Sequence, residues 1–211
     1  MCNYKANRDP SVLNCPQTDT EHDYPILRRE VEAAVQSLKK GKSAGVDNVP
    51  AELVQAGGEE IITPLTTICN KIWQTGEWPT PWTQSLIITL PKKGNLQQCQ
   101  NLPHRSKVML KIILNRLKPQ AEKIIAEEHA CFRAGRSTTE QILKLRILCE
   151  KYLQHQQDLY HAFIDFKKAF HRVWHAALWA TIMKYISTNL TQAMKNLYNK
   201  ATSAVLFNSS I

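Results

Sequence analysis

The sequence is short of acidic residues, and this deficit limits the partners that the protein can have. Its 211 residues include 27 lysines and arginines but only 18 aspartates and glutamates, so the formal net charge is +9. The deficit is greatest over residues 92–118, which contain seven lysines or arginines and no acidic residue. A chain of this charge is a poor match for a cationic partner and favours a polyanion, although charge carries no information on the fold.

Cysteines and histidines at metal-binding spacing are also missing. The six cysteines lie far apart, at positions 2, 15, 69, 99, 131 and 149. That spacing disfavours a zinc site and a dense disulfide framework. His171 and His175 are four residues apart, but no third ligand lies near them in the sequence. We therefore expect these histidines to serve in packing or at the surface.

Long hydrophobic runs are absent too. No apolar run approaches the ~20 residues of a membrane-spanning helix, and no basic-apolar signal segment opens the chain. The hydrophobic content of 43% and the charged content of 21% are those of an ordinary folded protein. These features predict an intracellular protein, in the nucleus or the cytoplasm, with no membrane partner and with reduced thiols.

Hydrophobic periodicity predicts a mostly helical chain. Residues 1–25 are polar and contain three prolines, so we expect a poorly ordered lead-in. Helical patterns follow over 26–40, 51–76, 107–118 and 139–153, and one β-rich run covers 85–90 before Pro91. The last helix should bury one stripe, formed by Ile142, Leu145, Leu148, Cys149 and Tyr152.

Two lysine-containing segments raise the question of phosphate binding. The segment Gly41-Lys42-Ser43 has part of a phosphate-loop motif, but Gln36 replaces the glycine required five positions earlier, so we reject that motif. In the predicted helix 107–118, Lys107, Lys111 and Lys118 fall on one face. This face is either solvated surface or a contact for a nucleic-acid backbone, and the acid-free surroundings favour the contact.

The segment YHAFIDFKKAFHRVW, residues 160–174, carries the most specific chemical signal. An apolar, strand-like run over 162–164 is followed at once by a carboxylate, Asp165. Burying a carboxylate costs free energy unless a cation or hydrogen bonds satisfy it, and metal-dependent phosphoryl-transfer sites meet that cost. Taken alone, the pattern is more typical of a strand-end aspartate that caps the next turn.

Five blocks in a fixed order change that interpretation. They are LKKGKSAGVDNVPAELV (38–54), WTQSLIITLPKKGNLQQCQN (82–101), KVMLKIILNRLKP (107–119), EEHACFRAGRSTTEQI (127–142) and FIDFKKAFHRVWHAALW (163–179). As an ordered set they resemble the reverse transcriptases of non-long-terminal-repeat (LINE-type) retrotransposons. The resemblance implies an α+β fold, a partial right-hand polymerase that is helix-rich with a small incomplete sheet. Residues 26–157 would be the fingers-like region and 158–211 a partial palm.

The resemblance also implies roles for individual residues. Asp165 would be the first catalytic aspartate and a ligand of Mg²⁺. Phe170 would lie under the sugar of the incoming deoxynucleotide triphosphate, and Lys92 would lie near its triphosphate.

By the same resemblance, the block 127–142 would meet the template strand through Phe132, Arg133 and Arg136. An RNA template and a DNA primer are the implied partners. Two positions in this block differ from the family pattern: His129 replaces a usual glutamine, and Cys131 replaces a usual glycine. The loss of glycine matters if the backbone there needs a positive φ.

Other departures bear on activity. Compared with the family pattern, several residues of the fingers hairpin are missing before residue 106, including an arginine that Arg105 could replace. Pro103 cannot donate to a sheet ladder, which puts the hairpin in doubt. His171 replaces a common aspartate, and the sequence contains no pair of adjacent aspartates.

Nucleotidyl transfer uses two metal ions held by several carboxylates, and one aspartate cannot hold both. The sequence therefore predicts a reverse transcriptase fragment that is inactive by itself. Two alternatives stay open: a non-catalytic, basic nucleic-acid-binding module, and a degenerate relic without a selected function.

Overall fold

A computed structural model describes residues 24–92, 95–101 and 103–206. Nearly all of the predicted lead-in over 1–25 lies outside these ranges. The described helices are α1 (Arg28–Gln36), α2 (Ala51–Ala56), α3 (Gly58–Thr75), α4 (Thr80–Thr83), α5 (His104–Glu122), α6 (Thr138–Gln154), α7 (His175–Ile182) and α8 (Thr188–Lys200). The described strands are β1 (Gln84–Lys92), β2 (Asn95–Asn101) and β3 (Thr202–Leu206). The prediction of a helix-rich chain with a small sheet is confirmed.

The hydrophobic core lies between α1, α3, α5 and α8. In α1 the apolar residues Val31, Ala34 and Val35 recur at helical spacing, and all three are buried. The other core helices contribute equivalent stripes, which include Leu65, Cys69, Ile72, Val108, Met109, Ile112, Leu190 and Ala193. Burial of each large side chain contributes about 1.5–3 kcal/mol. Helix α8, late in the chain, thus packs into the same core as the first helices.

Two polar contacts attach α8 to the segment that follows α3. Gly76 ends α3 with a positive φ of 68°, and its carbonyl oxygen accepts a hydrogen bond from Asn196 Nδ2 at 2.9 Å. The buried Trp78 indole donates from Nε1 to the Ala193 carbonyl oxygen at 2.9 Å. Because these partners are more than 110 residues apart in the chain, the contacts fix a long-range feature of the fold.

We expect Trp78→Phe to lower the free energy of unfolding by about 1–3 kcal/mol, because the variant loses one buried hydrogen bond and part of the indole's packing. Urea denaturation followed by far-ultraviolet circular dichroism measures this change. Tyr185→Phe, at a ring that is 49% exposed, is the control and should leave the midpoint unchanged. Equal midpoints for wild type and Trp78→Phe would contradict the prediction.

The sheet has the strand order β2-β1-β3. Strand β2 pairs with β1 in antiparallel register, with Ile88 opposite Cys99, and β3 pairs with β1 in parallel register. The doubt about the fingers hairpin was therefore wrong. Strand β2 ends at Asn101, so Pro103 lies beyond the ladder, where a missing N–H removes no pairing. Strand β1 also continues through Pro91 to Lys92 rather than stopping before the proline.

Two other expectations need correction. Helix α6 forms and begins as predicted, with Ser137 Oγ accepting from the Glu140 backbone N–H at 3.1 Å, but none of its residues is buried. Its expected buried stripe is instead half-exposed or exposed.

The predicted strand over 162–164 is also wrong, because those residues have no strand conformation and lie exposed. In the described part of the chain, β1 pairs with β2 and β3, and no strand lies beside 162–164 to form a ladder.

No helix within the described ranges combines the length and the apolar character needed to cross a membrane.

Candidate nucleic-acid interface and catalytic aspartate

Asp165 lies in an exposed segment without regular secondary structure, between α6 and α7. The next residues turn sharply. Lys168 has a positive φ of 56°, and one turn of 3-10 helix follows over Ala169–Arg172. Phe170, in that turn, is 81% exposed. The structure therefore brings Asp165 and Phe170 into one solvent-exposed stretch, rather than to the end of a buried strand.

A pair of metal ions does not fit the donor atoms near Asp165. Among the residues that the structure describes, no three histidines, cysteines, aspartates or glutamates are grouped closely enough to hold a metal ion. Cys69, Cys131 and Cys149 are free thiols. Asp165 can contribute one carboxylate, and a two-metal site needs several.

The turn that precedes α6 is held by ion pairs. Arg133 donates to Glu122 Oε1 at 2.6 Å and to the carbonyl oxygens of Ala126 and His129 at 2.9 and 3.0 Å. Its side chain is only 8% exposed. Arg136 pairs with Glu127 and lies 3.7 Å from Glu140. Both arginines that were predicted to meet the template are thus engaged with carboxylates of their own chain.

Phe132 is the exception in this turn. Its side chain is 94% exposed, and its φ is positive at 59°. The positive φ angles of this turn occur at Phe132 and Gly135 and not at Cys131, so the cysteine that replaces a usual glycine is not strained by its φ. A phenyl ring held in a strained backbone conformation and turned to solvent is well placed to stack on a planar group.

The three lysines predicted to form a basic face lie on α5, and two of them share a pocket. Lys107 and Lys111 line one pocket, while Lys118 is exposed on the same helix outside it. Arg105, two residues before Lys107, forms a salt bridge in which its Nη2 and Nε lie 3.0 and 3.2 Å from Asp47 Oδ2. The structure thus gives Arg105 an internal partner. The side chain of Lys92 lies outside the described part, although its backbone ends β1.

Three residues of this pocket were missed by the sequence reasoning. Lys39 and Lys42 reach it from the segment after α1, and His104 reaches it from the first turn of α5. The lysine-rich sequence over 38–42 could have indicated Lys39 and Lys42 as anion-binding residues. It matches no phosphate-loop motif, and that motif was the only phosphate-binding pattern considered for it. Side-chain cations, rather than a glycine-rich backbone, form the pocket.

Comparison with known proteins gives a consistent assignment. The family described as reverse transcriptase (RNA-dependent DNA polymerase) matches residues 90–209. The chain is 31% identical over 169 residues to a probable RNA-directed DNA polymerase from transposon BS of Drosophila melanogaster, covering 76% of this chain and 19% of that protein.

Other relatives have similar coverage. The RNA-directed DNA polymerase from mobile element jockey of Drosophila funebris is 26% identical over 82% of this chain and 20% of its own length. The transposon TX1 uncharacterized 149 kDa protein of Xenopus laevis is 25% identical over 89% of this chain and 15% of its own length. The chain spans about a fifth of the curated relatives that it matches first. It belongs to the reverse transcriptase family, in the branch found in LINE-type retrotransposons.

Proposed function

We propose that residues 26–157 form the fingers-like region, and residues 158–211 a partial palm, of a right-handed RNA-directed DNA polymerase. We further propose that this chain by itself binds nucleic acid and does not extend a primer. The observation that carries the binding is the convergence of Lys107 and Lys111 on one pocket of α5. Its natural partners would be an RNA template, a DNA primer and deoxynucleotide triphosphates.

In the complete polymerase, Asp165 would supply one ligand of Mg²⁺, which would neutralise charge on the phosphates during transfer. Phe170 would lie against the sugar of the incoming nucleotide, and Lys92 would approach its triphosphate from the β1–β2 hairpin. A lysine suits that task because its ammonium group is a compact charge on a flexible stem. The exposure of Phe170 and the formation of the hairpin support these roles.

The surroundings of the three proposed template-binding residues indicate how much each would contribute to binding. Phe132 is free to stack on a base, a contact worth about 1–3 kcal/mol per base. Arg133 is nearly buried and already paired with Glu122, so it would act mainly by holding the turn that presents Phe132. Arg136 would have to exchange Glu127 for a phosphate. We therefore expect Phe132 to contribute more to template binding than either arginine.

The purified chain with Mg²⁺ is expected to incorporate no nucleotide in a primer-extension assay, because a lone carboxylate cannot position two metal ions. The matched control is Asp165→Ala, which removes that carboxylate. Incorporation by the wild type above the level of this control would contradict the proposed inactivity. Nucleotide incorporation is measured as labelled primer lengthening on an RNA template.

RNA binding is expected to be weak, tolerant of sequence and strongly dependent on salt. For a single strand, the slope of log K against log salt changes by about 0.7 for each phosphate contacted. Joint replacement of Lys107, Lys111 and Lys118 by glutamine should flatten this slope, which fluorescence anisotropy with a labelled oligoribonucleotide measures. A slope equal to that of the wild type would show that this face of α5 does not contact RNA.

A further inference from the structure

The pocket beside α5 has an unusual charge. It has a volume of about 260 Å³ and is lined by Ser37, Leu38, Lys39, Lys42, His104, Lys107 and Lys111. Four of the seven lining residues are lysines, and none of these described lining residues is acidic. The lysines come in pairs from two segments, the loop after α1 and the first turns of α5, so the fold itself brings them together.

Two acidic groups whose charges interact with residues of this pocket already have partners. The Asp47 carboxylate accepts two hydrogen bonds from Arg105, and Glu52 accepts one from the Gly41 backbone N–H at 2.6 Å. Burial lowers the pKa of Lys107, and the charge of Asp47 opposes this effect only in part. Several ammonium groups facing one cavity repel one another, and an anion in the cavity would remove that cost.

His104 supplies an independent observation. Its ring is buried, only 2% exposed, and neither ring nitrogen makes a hydrogen bond of standard geometry. Burial and the charge of Lys107 lower the pKa of the imidazole, while backbone groups of Ser43 and Lys42 and the charge of Asp47 raise it by less. This buried ring lines the cationic cavity beside Lys107, so its state depends on the charge inside the cavity.

We propose that this pocket binds one phosphate group of a nucleic-acid strand, with Lys39 and Lys42 acting jointly with Lys107 and Lys111. Lysine is a common phosphate ligand because its charge is compact and its stem is flexible. The pocket continues the basic face of α5 that ends at Lys118, so a strand following the helix places one phosphate in it. The proposal rests on the proposed function, and adds the loop after α1 to the interface.

The first test uses the exposed loop lysines, whose replacement leaves the core intact. Lys39→Gln/Lys42→Gln should flatten the salt slope of RNA binding by about 0.7, the value for one phosphate on a single strand. Lys107→Gln/Lys111→Gln should flatten the slope by the same amount. The variant with all four substitutions should flatten it no further than either pair does. Lys71→Gln/Lys200→Gln removes the same charge from exposed positions outside the pocket and should keep the slope of the wild type.

The second test titrates the full chain with inorganic phosphate and follows the His104 imidazole signals by NMR. The wild type should show a saturable shift, because an anion in the pocket raises the pKa of the ring, and Lys39→Gln/Lys42→Gln should lose it. If this variant binds RNA with the salt slope of the wild type, the pocket does not bind a phosphate of the strand, and the proposed function stands. A retained phosphate shift without any RNA binding would instead overturn the proposed function. Tighter binding of an acidic peptide than of an RNA of equal charge would overturn the choice of ligand.

Discussion

Arg116→Ala is expected to lower the free energy of unfolding by about 3–5 kcal/mol, the usual cost of removing one partner from a buried ion pair. The side chain of Arg116 is only 7% exposed. Its Nη2 and Nε lie 2.7 and 2.9 Å from the two carboxylate oxygens of Glu30. Its other donor contacts are the carbonyl oxygens of Tyr24 and Pro25, at 2.9 and 3.0 Å.

Two aromatic rings enclose the same group. The guanidinium carbon lies 4.4 Å from the centre of the Tyr24 ring and 4.5 Å from that of Trp73. Cation–π contacts of this kind add about 0.5–2 kcal/mol each. Because small proteins have only about 5–15 kcal/mol of net stability, the loss of Arg116 should leave a measurable fraction of the chain unfolded at 37 °C.

Urea denaturation measures the effect, with Arg146→Ala as the matched control. Arg146 forms an exposed pair with Glu150 on α6, and exposed pairs contribute about 0–1 kcal/mol. Arg116→Lys keeps the charge but not the planar fork of donors, so it should recover only part of the loss. A loss equal to that of Arg146→Ala would show that the Arg116 contacts contribute no net stability.

The same ion pair predicts a direction for pH dependence. Burial raises the pKa of Glu30, but the hydrogen bond and charge of Arg116 and the Leu27 backbone N–H lower it by more, so the pKa in the folded chain lies below its ordinary value. A carboxyl of this kind stabilises the fold above its unfolded pKa, and the stabilisation disappears as the pH falls through the folded value. The wild type should therefore lose more stability on acidification than Glu30→Gln.

The wild-type chain is expected to self-associate at micromolar concentration and to bind a hydrophobic dye. Exposed apolar side chains cover α6 and the segment that follows it. They include Ile142, Leu143, Ile147, Leu153, Phe163, Ile164 and Phe166, each more than half exposed. Contiguous apolar surfaces of this kind are rare on soluble monomers and promote association.

Ile142→Glu/Leu153→Glu tests this surface, because the two residues are eleven positions apart and share one face of α6. We expect the double variant to raise the dissociation constant at least about tenfold, or 1.4 kcal/mol, in sedimentation velocity at several concentrations. Leu53→Glu, at an exposed leucine of α2, is the control and should leave association unchanged. A wild type that stays monomeric and melts reversibly, at one temperature for all concentrations, would contradict the prediction.

The parts of the fold that follow from local pattern could be predicted from the sequence. Helices α1 and α5, the strand β1 and the N-cap at Ser137 depend on spacing and on residue type close by. The contacts of Arg116, by contrast, join Tyr24, Glu30 and Trp73 from three segments, and no local pattern marks which of the nine arginines will be buried. The burial expected for α6 failed for a related reason, since an apolar stripe specifies a face but not the element that covers it.

The candidate site likewise has one part that the sequence could predict and one part that it could not. The order of the family blocks indicated the enzyme family, but the pairing of Lys39 and Lys42 with Lys107 and Lys111 depends on how the loop after α1 packs on α5. The strand expected before Asp165 illustrates the opposite error. β-branched and aromatic residues favour an extended conformation, but a strand forms only where a neighbour supplies hydrogen bonds.

The parallel pairing of β3 with β1 has a consequence for the order in which this chain can fold. Ser85 and Thr202 meet across the ladder although 117 residues separate them. At a synthesis rate of about 5–20 residues per second, one edge of β1 emerges from the ribosome roughly 6–24 s before its partner exists. During that interval the β1–β2 hairpin presents an open apolar edge, so the nascent chain is the state in which this protein most needs a chaperone.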